Sequence, residues 1–410
     1  MQNPPTRRQV LSTGAAVGAA AVAGCKEKPR GTRSQNRDGA RTPTRTNVTA
    51  TASSSGNGPP VDVRGAIYIP ARAFNLYQMW KRYDPKIVER DLGYAKRVNL
   101  NALRVWLSYA WWNADRKDLE RKFEHLLTVA EKRGIRVLVG LFDAVGAEAN
   151  GETLTDRNLQ TATAVSEPGD YVMEDPAHWS GVRRYVNWFM DRYRNDDRLL
   201  AISAMNEPGW SATERRFARA MFQEVANRKG SVPLSVGATS LTNSARFVDW
   251  GADVVQFHYN FPRNPEIIRQ LLAEASELQQ ALGRPVWLTE WQRVRRSGGG
   301  FGGKIEGTEW QPNYATLAPL IRNASIGSFF WSLMVKPAWV PAQRKQGVVN
   351  GLFHEDGAVW SQKDARAIKS MSGENAFSGT ERRRRPKWMR LNTSTGTSTG
   401  TSTPKKNGTN

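Results

Sequence analysis

Between residues 64 and 372, short apolar runs alternate with longer stretches in which apolar residues recur every three or four positions. Eight of the runs have the length and the β-branched or aromatic content of buried strands. They are 64–69 (RGAIYI), 103–107 (LRVWL), 135–142 (IRVLVGLF), 199–205 (LLAISAM), 233–239 (PLSVGAT), 253–259 (DVVQFHY), 285–291 (PVWLTEW) and 327–333 (GSFFWSL). Helical spacing fills the gaps. Leu119, Phe123, Leu126, Leu127 and Ala130 share one face, with Gly134 as the stop before the third strand. Val182, Tyr185, Val186, Phe189, Met190 and Tyr193 share another, ahead of the fourth. Further helices are expected around NPEIIRQLLAEASELQQALG and SQKDARAIKSM. This alternation over about 310 residues predicts an α/β fold, a (β/α)8 TIM barrel forming a single domain, with a doubly wound open sheet as the lesser alternative.

The fourth run ends on Asn206–Glu207–Pro208, so a strand that buries Ala201, Ile202, Ala204 and Met205 finishes on a carboxylate. Burying an unpaired charge is costly, which puts Glu207 either at a solvent-reaching strand end or in a working site. Glu290 closes the seventh run in the same way. In a barrel, both would rise from the C-terminal face, where active sites of this fold lie. Two carboxyl groups facing one cleft can cleave a glycosidic bond, one protonating the leaving oxygen and the other attacking the anomeric carbon.

Composition marks off the ends of the 410-residue chain. The formal net charge is +21, but residues 1–60 and 373–410 hold 17 of the 59 basic and 4 of the 38 acidic residues, which leaves +8 for residues 61–372. Both ends are rich in Thr, Ser, Gly, Pro or Asn and read as disordered tails. Residues 1–25 resemble a twin-arginine export signal, with Arg7 and Arg8 before a short Ala/Gly run ending in VAGC. Cys25 then becomes a lipidated first residue attaching the protein to a membrane; the alternative is an ordinary cleaved signal. Residues 26–60 read as a flexible linker, and 373–410 as a basic, Thr/Ser/Gly-rich tail. Cys25 is the only cysteine, which excludes an internal disulfide and any cysteine-based metal site. Nothing patterned like a nucleic-acid-binding fold accompanies the arginine run, so no nucleic-acid partner is expected. The expected state is an exported, cell-surface or extracellular monomer.

Five motifs in order carry a resemblance. MNEP after strand four, TEW at strand seven, NALRVWL at strand two, FHYN at strand six and FFWSL at strand eight resemble family 5 glycoside hydrolases, the cellulase and endo-mannanase group of retaining (β/α)8 enzymes. The resemblance spans nearly all of residues 61–372. It implies Glu207 as acid/base and Glu290 as nucleophile, with Asn206 on the sugar 2-hydroxyl. It also implies Arg104 keeping the nucleophile ionised, His258 from strand six, Trp331 as the platform beneath the reacting sugar, and no metal or organic cofactor. Two departures stand out. The tyrosine expected two residues after the strand-six histidine is Asn260, and Tyr259 reaches the site only through a local bulge. At the end of strand three, Asp143 stands where a histidine is frequent.

Fifteen tryptophans are present, and Trp106, Trp111, Trp112, Trp210, Trp291, Trp331 and Trp339 fall at strand ends or in the loops that follow. Aromatic faces suit sugar stacking, so about half of this set is expected in a polysaccharide cleft, with Trp210, Trp291 and Trp331 as substrate contacts beside Tyr259 and Asp143. His125 and His178 read as surface residues. The aperiodic segment 144–175 is expected to wall the cleft. The leading reading is a retaining endo-β-glycosidase acting on a mannan or β-glucan type polysaccharide. A non-catalytic carbohydrate-binding barrel and a transglycosylase using the same site are the alternatives.

Overall fold

The structure, a computed structural model, describes residues 62–209, 211–297 and 304–389. The expected signal, linker and lipid-anchor cysteine, together with Trp210, lie outside the described residues. Eight parallel strands close into a barrel in sequence order: β1 (Arg64–Ile67), β2 (Ala102–Trp106), β3 (Arg136–Gly140), β4 (Leu199–Asn206), β5 (Leu234–Ala238), β6 (Val254–His258), β7 (Val286–Trp291) and β8 (Gly327–Phe330). β8 returns to pair with β1, so every expected strand is present and the open-sheet alternative falls. Helices cover the outside, among them Arg116–Glu131, Trp179–Tyr193, Ala212–Ala226, Pro265–Leu282 and Gln362–Ser370.

Strands buried on both faces explain the lack of polar alternation in the sequence: every residue of β2, β4, β5 and β6 is buried. Small residues let large ones fill the spaces between strands. A Cβ on Gly65 would sit 2.2 Å from the Phe329 ring, and one on Gly140 would sit 2.3 Å from Trp106. In such packing an added methyl costs about 1–3 kcal/mol.

Two loops shape the C-terminal face. The loop after β3 contains two short helices, Gly151–Thr155 and Asp170–Glu174, and is stapled to the rim where Asp143 pairs with both Glu167 and Asn206. The loop after β8 carries a two-stranded ribbon, β9 (Lys336–Pro337) with β10 (Val349–Asn350). Residues 373–389, expected as part of a disordered tail, instead continue the domain. Thr380 and Glu381 run along Val359, and Met389 is buried. The arginine run is tied down as well. Arg382 pairs with Asp356 at 2.6 Å, Arg383 with Glu381 at 2.7 Å, and Arg385 lies over Trp310. Among the described residues, no helix is long and apolar enough to cross a membrane.

Candidate active site

Glu207 and Glu290 leave the barrel at the ends of β4 and β7, and carboxylate oxygens of the two lie within 4.8 Å of one another. Backbone irregularities aim both. Asn206 ends β4 with its N–H on Phe142 O, and the chain then turns at Glu207, which takes φ +49° while its N–H donates to Gly237 O at 2.8 Å. A glutamate in the left-handed region is unfavourable in isolation, and such positions cluster at functional sites. On β7, Phe257 pairs with Leu288 but His258 pairs with Glu290, so Thr289 is an extra residue. This bulge rotates Glu290 to face His258 and turns the Thr289 carbonyl onto Arg104.

Arg104 rises from β2 beneath the pair, almost fully buried. Its Nη2 donates to Asn206 Oδ1 at 2.6 Å, its Nη1 to Thr289 O at 3.1 Å, and Nη1 lies 3.5 Å from Glu290 Oε2. The guanidinium also lies 4.4 Å from the centroid of the Trp106 ring. This placement requires Gly237, where a Cβ would come within 2.9 Å of Arg104 Nη2 and 3.1 Å of Asn206 Oδ1. Asn206 is held from both sides, because its Nδ2 donates to Asp143 Oδ1 at 2.9 Å. That leaves one Nδ2 hydrogen unspent.

His258 joins the carboxyls. Its Nδ1 is 2.6 Å from Glu207 Oε1 and 3.3 Å from Glu290 Oε2, whereas its Nε2 has no partner among the described residues. Burial pushes the imidazole down to about 3, so near neutrality it is a hydrogen-bond partner and not a counter-ion. Arg104 is therefore the cation shared by both carboxyls.

The two acids sit in different settings. Burial pushes Glu207 up to about 7, with only the Arg104 charge opposing. Burial also raises Glu290, as does the neighbouring Glu207 charge, while Arg104 and a hydrogen bond from Asn260 favour its carboxylate. Environments that separate two carboxyls in this way assign one to the protonated and one to the ionised role.

The remaining expected residues divide. Asp143 lies behind the pair, buried and raised to about 7 by burial, where it supports Asn206 and accepts from the Val145 N–H. Tyr259 is not brought to the carboxyls. The bulge lies on β7, β6 alternates regularly, and only the Tyr259 backbone N–H meets Glu290, at its carbonyl. Asn260 takes that place, its Nδ2 donating to Glu290 Oε1 at 3.2 Å. Trp331 follows β8 through a cis peptide to Ser332, with its ring edge-on to Trp339 at 5.6 Å. Trp291 cannot touch a sugar: it is fully buried against Tyr314 and Phe330, because alternation turns it away from the face that Glu290 occupies. Trp112 also belongs to the core, packed on Tyr109, Tyr185 and Trp188. His178 is exposed, and His125 is half-buried, 2.7 Å from the Tyr83 hydroxyl.

Sequence reasoning missed Gly237, Gln292 and Glu167. Glu167 is buried and raised to about 7 by burial, with Ser108 Oγ and the Ala110 N–H donating to Oε2. Its position in an aperiodic loop carries no signal, since only the fold brings it against the helix after β2.

Glu207, His258 and Glu290 are the residue types of a metal site. Their geometry is that of proton sharing instead. The 2.6 Å contact is shorter than the roughly 3.3 Å between neighbouring ligands of a tetrahedral zinc, and a guanidinium presses on the same carboxylate pair.

No protein-family model and no curated protein sequence matches the chain. Solved structures do. The fold is similar to an exo-β-1,4-mannosidase from Opitutaceae bacterium strain TAV5 (TM-score 0.54, 17% identity), covering 75% of this chain and 58% of that one. It is similar to GH5_18 from Bifidobacterium longum subsp. longum (TM-score 0.53, 12% identity), covering 78% of this chain and 81% of that one. It is also similar to a GH5_18 variant from Streptomyces cattleya in complex with Manβ1-4GlcNAc (TM-score 0.52, 14% identity), covering 78% of this chain and 83% of that one. Structures of family 5 glycoside hydrolases thus share the (β/α)8 barrel that the sequence motifs predicted.

Proposed function

We propose that the protein is a retaining glycoside hydrolase of the family 5 type, cleaving a β-linked mannan or glucan internally, with Glu207 as acid/base and Glu290 as nucleophile. The observation that carries this reading is the carboxyl pair itself. Its oxygens fall within 4.8 Å, close to the roughly 5–5.5 Å of retaining sites and well short of the wider gap that admits a water in inverting ones.

The chemistry follows from the surroundings of each acid. A Glu290 oxygen attacks the anomeric carbon as the glycosidic C–O bond breaks, and the departing oxygen takes the proton of Glu207. The nucleophile loses its charge as the ester forms, so Arg104 and Asn260 hold it ionised before attack without being consumed. Glu207, now a carboxylate, removes a proton from water, which attacks the same carbon and releases Glu290. The unspent Asn206 Nδ2 hydrogen is offered to the sugar 2-hydroxyl oxygen and orients that hydroxyl, whose own proton becomes the better donor as positive charge builds on the ring. Trp331 and Trp339 supply the aromatic wall.

On the same reading the enzyme is exported and lipidated at Cys25, tethered to the outer surface of a membrane by residues 26–60 and working as a monomer. The twin arginines and the VAGC box support that part. Labelling with a radioactive fatty acid, lost in Cys25→Ala, tests it. The function is tested by release of reducing ends from mannan, cellulose derivatives, mixed-linkage glucan and xylan, and by cleavage of Manβ1-4GlcNAc, with Glu290→Gln as the blank. Retention of configuration by NMR in the first product is expected. Glycan binding without turnover in the unmutated protein would refute the hydrolase, and products longer than the substrate would assign transglycosylation.

A further inference from the structure

The hydrogen-bond chain on Glu290 does not end at Asn260. Past the bulge, β6 and β7 stay paired, with the Tyr259 N–H on Glu290 O and the Arg293 N–H on Asn260 O. Glu290, near the end of β7, and Gln292, just past it, therefore flank Asn260, two residues beyond the end of β6. The Asn260 amide spans them: Nδ2 donates to Glu290 Oε1 at 3.2 Å, and Oδ1 accepts from Gln292 Nε2 at 3.0 Å.

The direction of this chain is set by chemistry. An ionised carboxylate can only accept, so Asn260 must turn its NH2 to Glu290. Its oxygen then faces Gln292, which must present its own NH2. Gln292 is 2% exposed, and its Oε1 finds no partner among the described residues. An unsatisfied buried oxygen is unfavourable. The site accommodates it, and the arrangement it preserves is a donor aimed at Asn260.

The geometry points to Gln292 as a positioning residue for the nucleophile: it fixes the Asn260 amide so that an N–H, and not a carbonyl, faces Glu290. This inference rests on the proposed glycosidase reading and explains how the site works with Asn260 in place of a tyrosine. Glu290 is otherwise faced by Arg104 from β2, Glu207 from β4 and His258 from β6. Of these, Arg104 alone is a cation near neutrality. The Asn260–Gln292 pair adds a donor that does not titrate.

The test uses two substitutions at Gln292 and two readouts. Gln292→Met removes the donor with little change in volume. Gln292→Glu replaces the donor with an acceptor above its own titration, and regains an O–H donor when protonated. Both are expected to keep KM within about twofold while kcat falls about tenfold, the scale of one charge-assisted hydrogen bond. In Gln292→Glu the deficit should deepen as pH rises, which lost packing alone would not produce. In an Asn260→Tyr background, whose phenol donates without an amide partner, Gln292→Met should cost nothing further. Equal deficits in both backgrounds, or a loss confined to KM or to the melting temperature, would overturn the inference. The second readout needs no turnover: carboxyl-carbon NMR of Glu290, assigned by its absence in Glu290→Gln, should titrate higher in Gln292→Met than in the unmutated protein. An unchanged midpoint overturns the positioning role, while a shifted midpoint in a protein that cleaves no glycan upholds it and refutes only the hydrolase reading.

Discussion

Arg104→Met probes the centre of the proposed mechanism. It removes a cation 3.5 Å from Glu290 Oε2 while keeping most of the side-chain volume. At an effective dielectric of about 20, two unit charges at that separation attract by about 5 kcal/mol, an upper bound on what Glu290 loses. One third of that figure is enough, at 1.36 kcal/mol per pH unit, to move the acid limb of kcat/KM up by about one unit. The alkaline limb is set by Glu207, held up to about 7 by burial. Arg104 is also the one charge opposing the rise of Glu207, so the alkaline limb moves up together with the acid limb. Arg104→Met also strips Asn206 Oδ1 of its 2.6 Å donor, and an orphaned buried acceptor costs about 1–3 kcal/mol. Together these predict a fall in kcat/KM of about 100-fold or more at pH 7, with a bell whose acid limb and optimum move upward. Melting temperatures should change little at pH 5, where the neighbouring acids can protonate, and drop further at pH 8. The assay is initial rate against pH from 4 to 9 at subsaturating glycan. An acid limb left in place, with less than about threefold loss, would refute the assignment of Arg104 as the group that keeps the nucleophile charged.

Three further outcomes are expected. Glu207→Ala should lose about 10²–10⁴-fold on a natural glycan but far less on a dinitrophenyl glycoside, whose leaving group needs no proton, and azide should restore turnover as a glycosyl azide; equal losses on both substrates would remove Glu207 from the acid role. Glu207, Asp143 and Glu167 are each held near 7 by burial against about 4 in an unfolded chain, so their contribution to stability is complete below about pH 4 and is lost as pH rises to about 7. Urea midpoints should accordingly decline between pH 5 and 7.5, and less steeply in Asp143→Asn; a rising midpoint would contradict the burial of these groups. Gly237→Ala pushes a methyl to within 2.9 Å of Arg104 Nη2 and should lower kcat at least tenfold with a modest melting shift, whereas full activity would show that the guanidinium can move without cost.

The eight strands were legible in the sequence because burial on both faces demands continuous apolar runs, and each run lies on the strand it predicted, within a few residues at either end. The carboxyl pair was legible because Glu207 and Glu290 each interrupt such a run at its end, where an acid has no place in a core. The limits of the domain were not. Residues 373–389 look like a basic tail by composition, and their order comes from partners such as Val359, Asp356 and Trp310, which are distant in sequence. Trp291 was misplaced for a related reason: position near a strand end does not say which face a side chain takes when the strand carries a bulge.

What the sequence by itself determined is the periodicity, and with it the barrel and the face from which Glu207 and Glu290 emerge. Tertiary structure alone decided how the two acids differ. Both are glutamates at strand ends, and nothing local separates them. The distinction comes from a bulge at Thr289 that places Glu290 against Arg104, His258 and Asn260, and from a left-handed turn that leaves Glu207 with burial and one shared cation. Electrostatic environment is a sum over neighbours in space, and only the closed barrel fixes which neighbours those are.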